Sequence, residues 1–213
     1  MDKDIQIAHE VTVGLLESWF NLQPPFAVGT KKRPVDPMEI ALVLPLSAHT
    51  HRLIAAAVQL VDDEKAFETM PLVRSAFETA VQAMWISQTS DGASALSNEY
   101  SRTRLALKQS IEKSSLATFG GIQLAEFERM DTASAEQAKK FWLMCDDFKG
   151  GSDLYLTYRI LSGYCHAGID IADRYLQEDE SESRGFSVLT DPRLDNLGLG
   201  ILWTAASRSV LWT

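Results

Sequence analysis

The stretch "LVRSAFETAVQAMWIS", residues 72 to 87, decides the fold class. Its apolar residues recur at helical rather than alternating spacing, and Pro71 lies where a helix tolerates proline, in the first turn. The spacing predicts a helix from near Thr69 to about Ser87. Arg74 and Glu78 stand one turn apart on it, with Val81, Gln82 and Trp85 continuing the same side. If this side is buried, the ion pair costs desolvation and must also hold other polar groups, for which Ser162 and His166 are natural partners. If it is exposed, the pair is a surface contact of about 0.3 kcal/mol.

The same periodicity extends along nearly the whole chain, and β-branched alternating runs are absent, so the expected fold is all-α. About seven helices are expected, in a single-domain up-and-down bundle over 1–213 with loops at about 23–36, 62–68, 114–121 and 178–193. The first runs from about Asp4 to Leu22 and stops before Pro24-Pro25. The second, about Pro37 to Val61, is capped by Asp36 and carries Pro45, which predicts a kink or break near Val43 to Leu46.

A fourth helix is expected over about Ala95 to Lys113, a short piece over Ile122 to Met130, and a fifth main helix over about Ala133 to Phe148 closed by Gly150-Gly151. The sixth spans about Asp153 to Gln177. The acidic, serine-rich "EDESESRG" (Glu178 to Gly185) offers nothing to bury and reads as a loop. The last helix, about Leu194 to Trp212, is apolar on most faces, and "SVLWT" suggests packing on the bundle or on a second chain, a homodimer.

Composition bounds the partners. The chain has 213 residues, 46% of them hydrophobic and 23% charged, the profile of an ordinary globular protein. A formal net charge of −9 repels polyanions at long range, so DNA is disfavoured and any RNA contact must be local. The cationic run in "TKKRPVD" (30–36) lies in a Pro-rich loop without aromatics and reads as solvated surface. No apolar run of about 18 residues and no basic leader is evident, so the expectation is a cytoplasmic protein off the membrane. Cys145 and Cys165 read as two free thiols of a reducing compartment, without a catalytic role.

The chemistry-bearing stretch is "YRILSGYCHAG", residues 158 to 168. On a continuous helix seven residues return to within about 20° of the same direction, so Arg159 and His166 would share one face with Tyr155, Ser162, Gly163, Asp170 and Asp173. There His166 could act as general acid or base, Arg159 could hold a phosphate-like charge, Asp170 could orient the imidazole, and the Ser-Gly notch would admit a close neighbour. The bland counterpart is a polar seam satisfied by other helices.

Arg102 and Arg104 point about 200° apart, so at most one could join a common pocket. His49 and His51 cannot chelate one metal from the same face, and no metal is expected. No phosphate-cradling GxxxxGK[ST], strand-linked GxGxxG or GxSxG occurs, so no cofactor is implied.

Taken together, "LVRSAFETAVQAMWI" (72–86), "SRTR" (101–104) and "YRILSGYCHAG" resemble a bacterial group, common in actinobacteria, similar to the family known as domain of unknown function 5677. Its members pair an Arg-Ser-x-x-Glu helix with a later Tyr-Arg-x-x-Ser-x-x-x-His helix. The chain also resembles the HEPN superfamily of helical toxin, defence and RNA-processing proteins, whose motif is Arg, four to six residues, then His. Arg159 and His166 fit its upper limit, although Ile160 stands where a polar residue is frequent. That resemblance implies metal-independent RNA cleavage at a site shared across a homodimer, with the substrate 2′-hydroxyl as nucleophile. The alternative is a non-catalytic bundle that binds a protein or small ligand, with Arg74, Glu78, Ser162 and His166 as a structural polar cluster.

Overall fold

The computed structural model describes residues 3–22, 36–116, 118, 122, 128–181, 183, 185–192 and 194–213, with the side chain of Asp170 outside that set. The fold is all-α apart from one small hairpin. Nine α-helices lie among the described residues, two more than the periodicity suggested. The Pro24-Pro25 stop, the run Lys31 to Arg33, Gly120-Gly121 and most of the expected helical piece over 122–130 lie outside the described residues.

Two long helices make the centre. Helix α2 (Pro37–Asp62) is capped by Asp36, whose Oδ1 accepts from the Met38 amide at 2.9 Å. It continues as one helix through Pro45, so of the expected kink or break the break does not occur. Pro45 and Ala41 are both exposed, so the Ala41 carbonyl that loses its partner faces water rather than the core. By length and composition α2 could cross a membrane, a weak signal that soluble core helices also give. Its side carrying Ser47, Thr50, His51, Ile54 and Ala57 is buried in the fold.

Helix α3 (Met70–Gln88) packs along α2 and starts as expected with Pro71 in its first turn. It is the most buried helix of the fold: Met70, Val73, Ala76, Phe77, Ala80, Val81, Trp85 and Ile86 have no exposed surface. Helices α1 (Lys3–Phe20) and α9 (Asn196–Trp212) pair with each other, and α9 lies across α3 and α2. Asp195 caps α9 by accepting from the Gly198 amide at 2.7 Å. The apolar chain end packs on the bundle, with Val210 buried and Trp212 against the Phe77 ring.

Helix α4 (Gly92–Glu112) packs on α2 and α3 through its first turns. The expected helix over 133–148 is instead two short ones, α5 (Ala135–Lys139) and α6 (Phe141–Asp146), because Lys140 is extended at φ −128°, ψ 103°. The predicted Gly150-Gly151 stop has a steric cause. Gly150 is left-handed at φ 81°, and a Cβ on Gly151 would collide with the Cys145 carbonyl.

The expected sixth helix is the largest departure. Helix α7 (Gly151–Gly163) ends after 13 residues, a turn follows, and α8 (Ile169–Arg174) is separate. Gly163 and Gly168 bracket the break, and Gly168 is fully extended at φ 177°, ψ −172°. Glycine disfavours a helix interior through backbone entropy, and here two of them fall within six residues. The end of that expected helix and the expected loop after it hold a hairpin instead: β1 (Leu176–Glu178) pairs antiparallel with β2 (Phe186–Val188).

Candidate functional site

The site grows from the contact of α3 with α7. Leu154 and Leu161 are buried, which fixes the inward side of α7 and brings Tyr158 and Ser162 against α3. There Arg74 Nε donates to Ser162 Oγ at 3.3 Å and Arg74 Nη2 to the Tyr158 hydroxyl at 2.5 Å. The same Nη2 pairs with Glu78 Oε2 at 3.2 Å, and the guanidinium lies over the Tyr158 ring at 4.8 Å from its centroid. Ser162 Oγ in turn donates to the Tyr158 carbonyl at 2.8 Å. The two side chains of the ion pair are 24% and 30% exposed, so the cluster is half-buried and reaches water.

Three of the predicted residues, Arg74, Glu78 and Ser162, therefore meet. His166 does not join them. It is exposed, and its contact with α7 is its backbone amide, which donates to the Ser162 carbonyl at 3.1 Å. Arg159 is exposed too, flanking the cluster between Tyr155 one turn before and Ser162-Gly163 one turn after. Neither side chain makes a hydrogen bond or ion pair with the described residues. Arg159 and His166 do not lie on one continuous helix, because α7 stops at Gly163. Asp170, on α8 beyond the turn, is not one helical turn after His166. The Ser162-Gly163 notch is open, since a Cβ on Gly163 would meet nothing within 4 Å.

Sequence reasoning missed Tyr158 as the main partner of Arg74, although its spacing of four from Ser162 puts both on one side of α7. It also missed the latch behind the turn. Arg174 Nη2 donates to the Tyr164 hydroxyl at 3.3 Å, Arg174 Nη1 pairs with Asp195 Oδ2 at 3.4 Å, and Phe67 packs edge-on against Tyr164 and Tyr175. This ties the chain on both sides of His166 to the start of α9.

The remaining candidates lie elsewhere. On α4, Arg102 binds Glu99 through both Nε and Nη2 at 2.8 and 2.6 Å, and Arg104 donates to the Tyr100 hydroxyl at 2.8 Å. His51 is buried, stacked on Trp19 with centroids 4.0 Å apart, and burial holds its imidazole below the usual range despite its bond to the Ser47 carbonyl. Burial pushes the Cys145 thiol up to about 12, and raises Cys165 against the opposing pull of Arg74. Both are free and sit as protonated, unreactive thiols. No group of three or more His, Cys, Asp or Glu able to hold a metal lies among the described residues.

The fold and this seam define an all-helical protein with a half-buried Arg-Glu-Tyr-Ser cluster beneath an exposed arginine and histidine. Residues 40–184 match the model of a family of unknown function, DUF5677, and the chain belongs to that family. No curated protein and no solved structure matches it.

Proposed function

We propose that this chain is a HEPN-like, RNA-directed enzyme of a bacterial defence or toxin type, in which Arg159 and His166 are the working pair. The observation that carries the reading is their exposure: both side chains face solvent without described partners, beside a seam that locks α7 in place. In this reading His166 takes the proton from the attacking ribose 2′-hydroxyl as its oxygen bonds to phosphorus. The bond from phosphorus to the next nucleotide's 5′ oxygen breaks, and that oxygen is protonated by water or by the imidazolium. Arg159 offsets the charge gathered on the phosphate oxygens through its planar donor fork. No step calls on a metal. A second copy of the chain would complete the site.

A second reading is favoured by a different observation, the meeting of Arg74, Glu78 and Ser162 in one seam between α3 and α7. In it the cluster is the structural seam of a non-catalytic protein that binds a protein or small ligand.

The test is incubation of the purified protein with mixed RNA in EDTA, beside an Arg159→Ala, His166→Ala double variant. Loss of RNA with the native protein and not with the variant is the expected result. Equal loss, or none in either, removes the enzyme reading for those substrates and leaves the second.

A further inference from the structure

The hairpin after α8 exposes surface that two strands alone do not cover. Leu176 lies opposite Val188 and Glu178 opposite Phe186, so these four side chains share one face. Its apolar members are open to water: Leu176 is 41% exposed, Phe186 43% and Val188 68%. A two-stranded hairpin with a solvated apolar face is marginal in water and gains from a third strand or a packed helix.

The backbone shows where a third strand fits. The Leu189 amide donates to the Tyr175 carbonyl at 2.7 Å and the Asp179 amide to the Gly185 carbonyl at 3.1 Å, so 175 with 189 and 179 with 185 are hydrogen-bonded pairs. By antiparallel alternation the amides and carbonyls of Phe186 and Val188 turn away from β1 toward the outer edge. Among the described elements β2 packs chiefly on β1, so its outer edge is open among the described residues, and it carries no lysine or proline to blunt it.

Charge selects the occupant. Between Leu176 and Asp191 the sequence has five carboxylates, Glu178, Asp179, Glu180, Glu182 and Asp191, against one arginine, Arg184. Such a field repels a nucleic acid, and it repels a second copy of the same acidic hairpin. We propose that the β2 edge docks an extended cationic peptide segment of a partner protein as a third antiparallel strand. Its apolar residues lie beside Phe186 and Val188, and its basic residues face the described carboxylates Glu178, Asp179 and Glu180. This site does not rest on the RNA reading.

The experiment uses the full chain and a fluorescein-labelled Lys-Val-Lys-Val-Lys-Val peptide, read by anisotropy. Two controls carry glutamate in place of lysine, or N-methyl groups on alternate backbone nitrogens. The expected result is binding that weakens about tenfold or more with either control, with added salt, and with Val188→Pro or Val188→Lys. The two variants act differently, one removing an edge amide and the other adding charge, and an unchanged helical circular dichroism shows that each is folded. No binding, equal binding of the glutamate peptide, or variants that bind like the native chain overturns the proposal. So does a dimer in analytical ultracentrifugation that Val188→Pro dissolves, which would assign the edge to a second copy.

Discussion

The α2–α3 pair and the segment from Gly163 to Asp191 are opposites within one chain. In the first, α3 buries most of its apolar side chains against α2, and of the polar groups that enter, Ser47 Oγ donates to the Val43 carbonyl at 2.8 Å while Thr50 Oγ1 is buried without a partner among the described residues. In the second, elements three to six residues long leave Ile169, Leu176 and Val188 in water. Stability is concentrated where sequence periodicity is long, and the candidate chemistry lies where it lapses. A helix earns its burial over many turns, whereas a short turn segment holds its shape through a few side-chain contacts.

The comparison breaks most visibly in the core. Phe77→Ala, at a site with no exposed surface, is expected to cost about 3–5 kcal/mol in denaturant unfolding, through lost burial and the cavity left behind. A loss under about 1 kcal/mol would mean that the core collapses easily around the gap.

Next comes the strap that α4 holds. Asp91 accepts from Thr132 Oγ1, the Ala133 and Ser134 amides and Ser134 Oγ at 2.6 to 3.1 Å, and these bonds hold its carboxyl well below the usual carboxylate range. Asp91→Ala is expected to cost about 1–2 kcal/mol, allowing for a carboxylate that is partly open to water. Because the folded value is depressed, the contribution is present above about pH 4 and is lost as pH falls further, so the native and variant stability curves should converge in acid.

Arg74→Ala removes the shared partner of Glu78, Tyr158 and Ser162 and is expected to cost about 1 kcal/mol, half-buried as the cluster is. A double-mutant cycle with Tyr158→Phe measures the coupling, and a value of zero would detach α7 from α3 energetically.

His51 gives a smaller, pH-shaped effect. Burial disfavours its imidazolium, so the unfolded chain takes up the proton first, and this contribution is lost as pH falls below about 6.5. In His51→Gln the slope of stability against pH between about 6.5 and 5 should flatten. Smallest of all, Arg159→Ala with His166→Ala should change stability by about 0.5 kcal/mol or less, since both side chains are exposed. A larger loss would place His166 in the seam after all and favour the structural reading.

Legibility followed the same division. The helix over Met70–Gln88, its Pro71 start, the Asp36 cap and the Gly150-Gly151 stop were readable because each rests on backbone rules that act within a turn or two. The pairing of Arg74 with Glu78 was readable for the same reason, and Ser162 was one of two partners expected because a buried ion pair must hold other polar groups. The break at Gly163 was not readable, since "LSGYCHAGIDIADRY" keeps helical spacing on both sides of its glycines. Beyond the break Arg174 donates to Tyr164 and pairs with Asp195, contacts that no spacing in the sequence announces.

By itself, then, the sequence determined the all-α class, the central helices and the Arg74–Glu78 pair, because periodicity, caps and one-turn spacings are local properties of the chain. Tertiary structure alone decided that α7 ends at Gly163, that His166 stands outside the seam, that Tyr158 is the arginine's partner, and that residues 176–188 form a hairpin. Each of these depends on contacts between residues far apart in the chain, whose energies no local pattern contains.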